Sequence, residues 1–69
     1  MLNGITWNNK DLVWVADTLA KGVNEYKITN EGLKFNKFLN MMNAVDNMEY
    51  IEETNTLLVG LVPKLYNFF

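Results

Sequence analysis

Neither cysteine nor histidine occurs anywhere in this chain of 69 residues. A chain of this length buries only about 60% of the surface its unfolded form exposes, and natural domains of the size often add disulfides, a metal or a second subunit. Disulfides and thiolate metal sites are excluded here, and the commonest transition-metal ligand is missing. One domain over residues 1–69 is expected, without metal or cofactor. Self-association, or docking on a partner, is the support that remains.

No leader or membrane span is expected. Met1-Leu2-Asn3-Gly4 has neither the basic nor the apolar part of a signal peptide. The longest apolar run, Leu57 to Val62, covers six residues, whereas a spanning helix needs about 20. A cysteine-free small domain fits the cytoplasm. The chain also lacks Arg, Ser and Gln but holds eleven Asn. Asn, Lys, Ile, Phe and Tyr have AT-rich codons, so a short gene of a phage or mobile element is the expected origin.

Two helices are predicted from their starts. In Trp7-Asn8-Asn9-Lys10-Asp11-Leu12, Asn8 is a good N-cap, Asp11 can return a bond, and Trp7 and Leu12 form a hydrophobic staple. Leu12, Val15, Ala16, Leu19, Val23 and Tyr26 then recur at helical spacing, which places the first helix at 9–24. The rival reading is a hairpin, with Ile5-Thr6-Trp7 and Leu12 to Val15 flanking Asn8 to Asp11; the β-branched, aromatic Val13-Trp14-Val15 favours it. The helical pattern persists for longer and is preferred. Thr29, Glu31, Ile28 and Leu33 repeat the cap pattern. Phe35, Phe38, Leu39, Met42 and Val45 follow, placing the second helix at 30–48.

After that the period changes to two. Glu49 to Glu52 and Leu57 to Val62 read as strands joined by Glu53-Thr54-Asn55-Thr56, and Asn3 to Trp7 can add a third. A two-residue turn at Thr54-Asn55 would pair Ile51 with Leu58 and Tyr50 with Val59. Met48, Tyr50, Leu57, Val59 and Leu61 would then face the helices. The expected fold class is α+β: two helices packed on one face of a small antiparallel sheet built around a C-terminal β-hairpin.

Catalysis is not expected. Serine, cysteine and histidine are absent, and Glu49, Glu52 and Glu53 read as a solvated strand edge that uses charge against aggregation. The glycines at 4, 22, 32 and 60 form no phosphate loop. Two helices and a hairpin match the later part of a winged helix, so a winged-helix-like DNA-binding regulator is the alternative function. Its recognition face would be Asn36, Asn40, Asn43 and Asn47 with Lys34 and Lys37. A net charge of −2 without arginine argues against nucleic acid, and no basic helix face invites a membrane.

Three apolar features do not fit a monomer's core. Trp14 falls on the polar face of the first helix, and tryptophan is enriched at interfaces. Ile51, Leu58 and Val62 form a stripe on the uncovered side of the hairpin. Met41, Ala44 and Met48 widen the apolar side of the second helix. The expected function is a small non-enzymatic protein-interaction module, an accessory or inhibitor protein, that binds a protein partner or itself through Trp14, Ile51, Leu58, Val62 and Met41.

Overall fold

Asn8 and Thr29 do organise the chain locally, but each closes a hairpin and neither starts a helix. Asn8 Oδ1 accepts hydrogen bonds from the backbone N–H groups of Lys10, Asp11 and Leu12 at 2.9, 2.9 and 3.0 Å. Its Nδ2 donates to Asp11 Oδ1 at 3.2 Å. Thr29 Oγ1 accepts from the Glu31 N–H at 3.2 Å and donates to the Gly32 carbonyl at 2.9 Å. These are the bonds an N-cap would make, used instead to fold the backbone back on itself. In this computed structural model, which describes residues 4–61 and 65–68, no α-helix is present among the described residues.

Among the described residues, seven strands replace the expected α+β arrangement. They are β1 (Ile5–Trp7), β2 (Leu12–Asp17), β3 (Gly22–Thr29), β4 (Gly32–Asn40), β5 (Val45–Ile51), β6 (Thr56–Leu61) and β7 (Leu65–Phe68). β1 to β4 form one antiparallel meander and β5 to β7 a second. The helices expected over 9–24 and 30–48 are thus overturned, and the rival hairpin of residues 5–15 is what forms, with Trp7 opposite Val13. Leu19, placed on a buried helical stripe, is 96% exposed in the β2–β3 turn. Left-handed backbone at Asn9, Lys21, Met42 and Asn55, and a positive φ at Gly32, reverse the chain between successive strands from β1 to β6.

The β5–β6 hairpin keeps its expected faces in a different register. Its loop is a 3₁₀ turn at Glu52–Thr54 closed by left-handed Asn55, so Ile51 pairs with Thr56 and Tyr50 with Leu57. That is a shift of two residues. A shift of two preserves which side chains share a face, and Met48, Leu57, Val59 and Leu61 point into the core as expected.

The core lies between the two sheets. Trp14, Val23, Met41 and Val45 meet Met48, Leu57, Val59 and Leu61, with Leu12, Ala16, Leu39 and Tyr50 packed against them. Trp14 is its largest member at 1% exposure, and its ring stacks on Tyr50 with centroids 5.6 Å apart. Beside it, Glu25 is 2% exposed. Glu25 Oε1 accepts the Trp14 Nε1–H at 2.8 Å, and Oε2 accepts from Asn36 Nδ2 at 2.6 Å. A buried carboxylate is costly to dehydrate unless donors satisfy it, and two neighbouring strands supply them. The register of β3 and β4 shifts between Glu25 and Tyr26: Lys37 lies opposite Glu25, Phe35 opposite Tyr26, and Asn36 is the extra residue. This bulge lets Asn36 reach the carboxylate.

Two stability predictions follow from this packing. Trp14→Ala removes the ring that joins the sheets and should cost about 3–5 kcal/mol. Glu25→Ala removes the carboxylate that accepts from the Trp14 indole and the Asn36 amide, a loss of about 1–3 kcal/mol. Urea unfolding followed by circular dichroism should rank Trp14→Ala below Glu25→Ala and both below the parent. A Trp14→Ala chain as stable as the parent would contradict the core described here. Conversely, Met42 is 76% exposed with φ +61°, a conformation that disfavours a methionine side chain and tolerates asparagine. Met42→Asn should stabilise by about 1 kcal/mol, raising the melting temperature by about 4–8 °C.

Candidate functional site

The residues expected to bind a partner do not form one surface. Trp14 and Met41 are core residues, 1% and 6% exposed. Trp14 was placed outside by its helical phase; in a strand, alternation turns it inward with Leu12 and Ala16. Ile51 and Leu58 are half-buried on the side of the second sheet away from the core. There Leu58 stands in register with Glu49 and Asn67, and Ile51 with Thr56, so no apolar stripe joins them. Val62 lies outside the described residues.

The asparagine face of the alternative also dissolves. Asn36 and Asn40 lie in β4, Asn43 in the β4–β5 connection and Asn47 in β5. Asn36 is held by Glu25, Asn40 Oδ1 accepts from the Met42 N–H at 3.0 Å, and Asn47 Oδ1 stands over Gly60. Lys34 and Lys37 share β4 with Asn36 and Asn40 but sit on no recognition helix.

What the first sheet exposes is different, and larger. Its inner face carries Leu12, Trp14, Ala16, Val23 and Leu39. Alternation places a second apolar set on the outer face. In register across four strands run Trp7, Val13, Tyr26 and Phe35; the next row is Ile5, Val15, Asn24 and Phe38. Ile28 and Leu33 pair beyond Tyr26 and Phe35. Tyr26 and Phe35 meet edge to face at 5.8 Å. Phe38 lies over Gly22, where any Cβ would strike its ring. The bulge at Asn36 is what brings Phe35 and Phe38, three residues apart, to the same side.

The outer face is apolar, and six of its side chains are exposed. Trp7, Phe35 and Phe38 are 47%, 60% and 39% exposed. With Ile5, Ile28 and Leu33, also exposed, they present on the order of 500 Å² of apolar surface. The largest apolar patch of an ordinary monomer is about 300–600 Å² and is often functional. Asp17, at one corner, is the only charged residue whose register puts it on this face, and its carboxylate accepts the Ala20 N–H at 3.0 Å. Lys27, Lys34 and Lys37 belong to the opposite side of the sheet.

A second feature among the described residues is polar. Asn8, Lys10, Leu12, Tyr50, Glu52 and Asn55 line an open depression holding one amine and one carboxylate, and Tyr50 there donates its hydroxyl to Asn55 Oδ1 at 2.7 Å. Among the described residues, no three acidic side chains gather to hold a metal, and no helix is long and apolar enough to cross a membrane.

The hairpin reading of residues 5–15 held the signal for this face. It puts Ile5, Trp7, Val13 and Val15 on one side of two strands, and the same alternation continues through Tyr26, Ile28, Leu33 and Phe35. No family model, characterised protein or solved structure matches the chain.

Proposed function

We propose that the chain is a small non-enzymatic interaction module that binds a protein, or another copy of itself, through the outer face of its four-stranded sheet. The observation that carries this reading is the uncharged apolar face of Ile5, Trp7, Tyr26, Ile28, Leu33, Phe35 and Phe38. Aromatic surface depleted of charge is what the centre of a protein interface is made of. A chain without serine, cysteine or histidine, in which an open depression among the described residues is lined by a single amine and a single carboxylate, supports binding over catalysis. The AT-rich amino-acid usage supports an accessory or inhibitor protein of a phage or mobile element as the setting.

Retention on the immobilised chain tests the reading. Proteins of the source cell, or the free chain itself, should be held by the parent and by Leu19→Lys, and released by Phe35→Lys. Leu19 projects from a turn and Phe35 from the face, so both substitutions should leave the melting temperature nearly unchanged. Identical retention by all three chains would exclude the face.

Duplex DNA is not the expected ligand. Stacking of bases on aromatic side chains needs cations along the same groove, and the lysines of β3 and β4 lie on the other side. Titration with mixed-sequence and AT-rich duplexes at about 150 mM salt should show nothing tighter than the micromolar range of non-specific binding. Nanomolar binding would refute this.

A further inference from the structure

We infer that the occupant of the outer face is a second copy of the chain, packed face to face about a twofold axis. This rests on the interaction reading above and names its partner. The first observation is area. A standard interface covers about 800 Å² on each partner, and about 56–65% of it is apolar. The apolar surface on offer here, on the order of 500 Å², is what one half of such an interface contains.

The second observation is the polar group inside the patch. Asn24 lies on the outer face, in register with Val15 on one side and Phe38 on the other. It is half-buried, and no hydrogen bond of its side chain occurs among the described residues. An amide carries both a donor and an acceptor, so it complements itself. Two Asn24 side chains meeting across a twofold axis can exchange N–H···O bonds, as a single buried asparagine fixes register between paired helices. Among the described residues only Asp17, at the corner, brings charge to this face by register, so its centre has nothing to pair with a charged partner, while an identical copy needs no pairing there.

The edge of the sheet points the same way. β4 has β3 as its only neighbour among the described strands and is nearly all exposed along its nine residues. An edge of that length invites strand addition, but a bulge and lysines are the devices that blunt it, and β4 carries the bulge at Asn36 between Lys34 and Lys37. The face has no such protection. Two sheets stacked about 10 Å apart close into a symmetric pair, whereas strand addition leaves the other edge free to continue.

Sedimentation equilibrium of the full chain over about 1–200 μM is the test, a range that brackets the micromolar affinities some standard-sized interfaces show. A species of twice the 8.0 kDa chain mass should appear. Asn24→Asp sets two carboxylates against each other and should raise the dimer dissociation constant at least about tenfold. Phe35→Lys, at a side chain outside the core, should do the same, and Leu19→Lys should do nothing. A chain that stays monomeric throughout, or a dimer indifferent to both face substitutions, overturns the inference. In the monomeric case, anilinonaphthalene sulfonate separates the two readings. Dye fluorescence lost in Phe35→Lys keeps the face as a docking surface for some other protein. Fluorescence unchanged by that substitution removes the docking reading as well.

Discussion

A carboxylate sits almost out of contact with water in this protein, and much of the structure is arranged around satisfying it. Glu25 accepts one bond from the Trp14 indole and one from the Asn36 amide. The first bond fixes the indole that spans the two sheets and lies on Tyr50. The second is made by the bulged residue of β4. That bulge then decides the outer surface, because an extra residue puts Phe35 and Phe38 on one face where regular alternation would divide them. One buried acid therefore couples the core to the surface we propose as the docking face. In a domain whose single small core supplies only about 3–5 kcal/mol, leaving either donor unpaired would remove a large share of the stability.

The same two-sidedness explains why the first forty residues read as helices. A half-buried strand shows itself by alternating apolar and polar residues. Here β2 and β3 place Leu12, Trp14, Ala16 and Val23 inward and Val13, Val15, Tyr26 and Ile28 outward. Apolar residues at so many positions satisfy almost any period, and Leu12, Val15, Ala16, Leu19, Val23 and Tyr26 fall on a helical one although Leu19 is a turn residue. Phe35, Phe38 and Leu39 mimic helical spacing for another reason, the bulge. The capping signals at Asn8 and Thr29 were chemically correct, since both side chains bind the backbone N–H groups that follow them. That chemistry serves a tight turn as well as a helix start, and the distinction depends on pairing partners remote in sequence.

Of the second sheet, the β5–β6 hairpin was legible because it obeys the simple pattern, whereas β7 was not read as a strand. Met48, Tyr50, Leu57, Val59 and Leu61 alternate with Glu49, Leu58 and Gly60, so the faces survive even a misplaced turn. Of the candidate site, composition conveyed only that an apolar surface had to be left over. Trp14 drew attention as a large apolar side chain on the polar face of the expected first helix, yet it is the largest side chain of the core. Tyr26, Phe35 and Phe38, placed in buried stripes by helical phase, carry the surface. A wrong period exchanges inside and outside residue by residue, which is why leftover apolar surface could be anticipated and its members could not.

How the two sheets differ in what they leave uncovered bears on why the chain keeps an apolar exterior at all. The outer side of the second sheet is broken by Glu49, with Glu52 and Glu53 in the adjoining turn. The open edge of the first is blunted by its bulge and by Lys34 and Lys37. Charge has thus been placed at the edge and on the far sheet, but not across the rows of Trp7 and Phe35 or Ile5 and Phe38. Exposed rings on a free monomer are a liability for solubility and contribute little to its stability. Covering them transfers apolar area out of water at about 25 cal/mol per Å², in a chain that has no cysteine for a disulfide. On the reading we propose, the apolar outer face of this 69-residue chain is half of a core that a second copy completes.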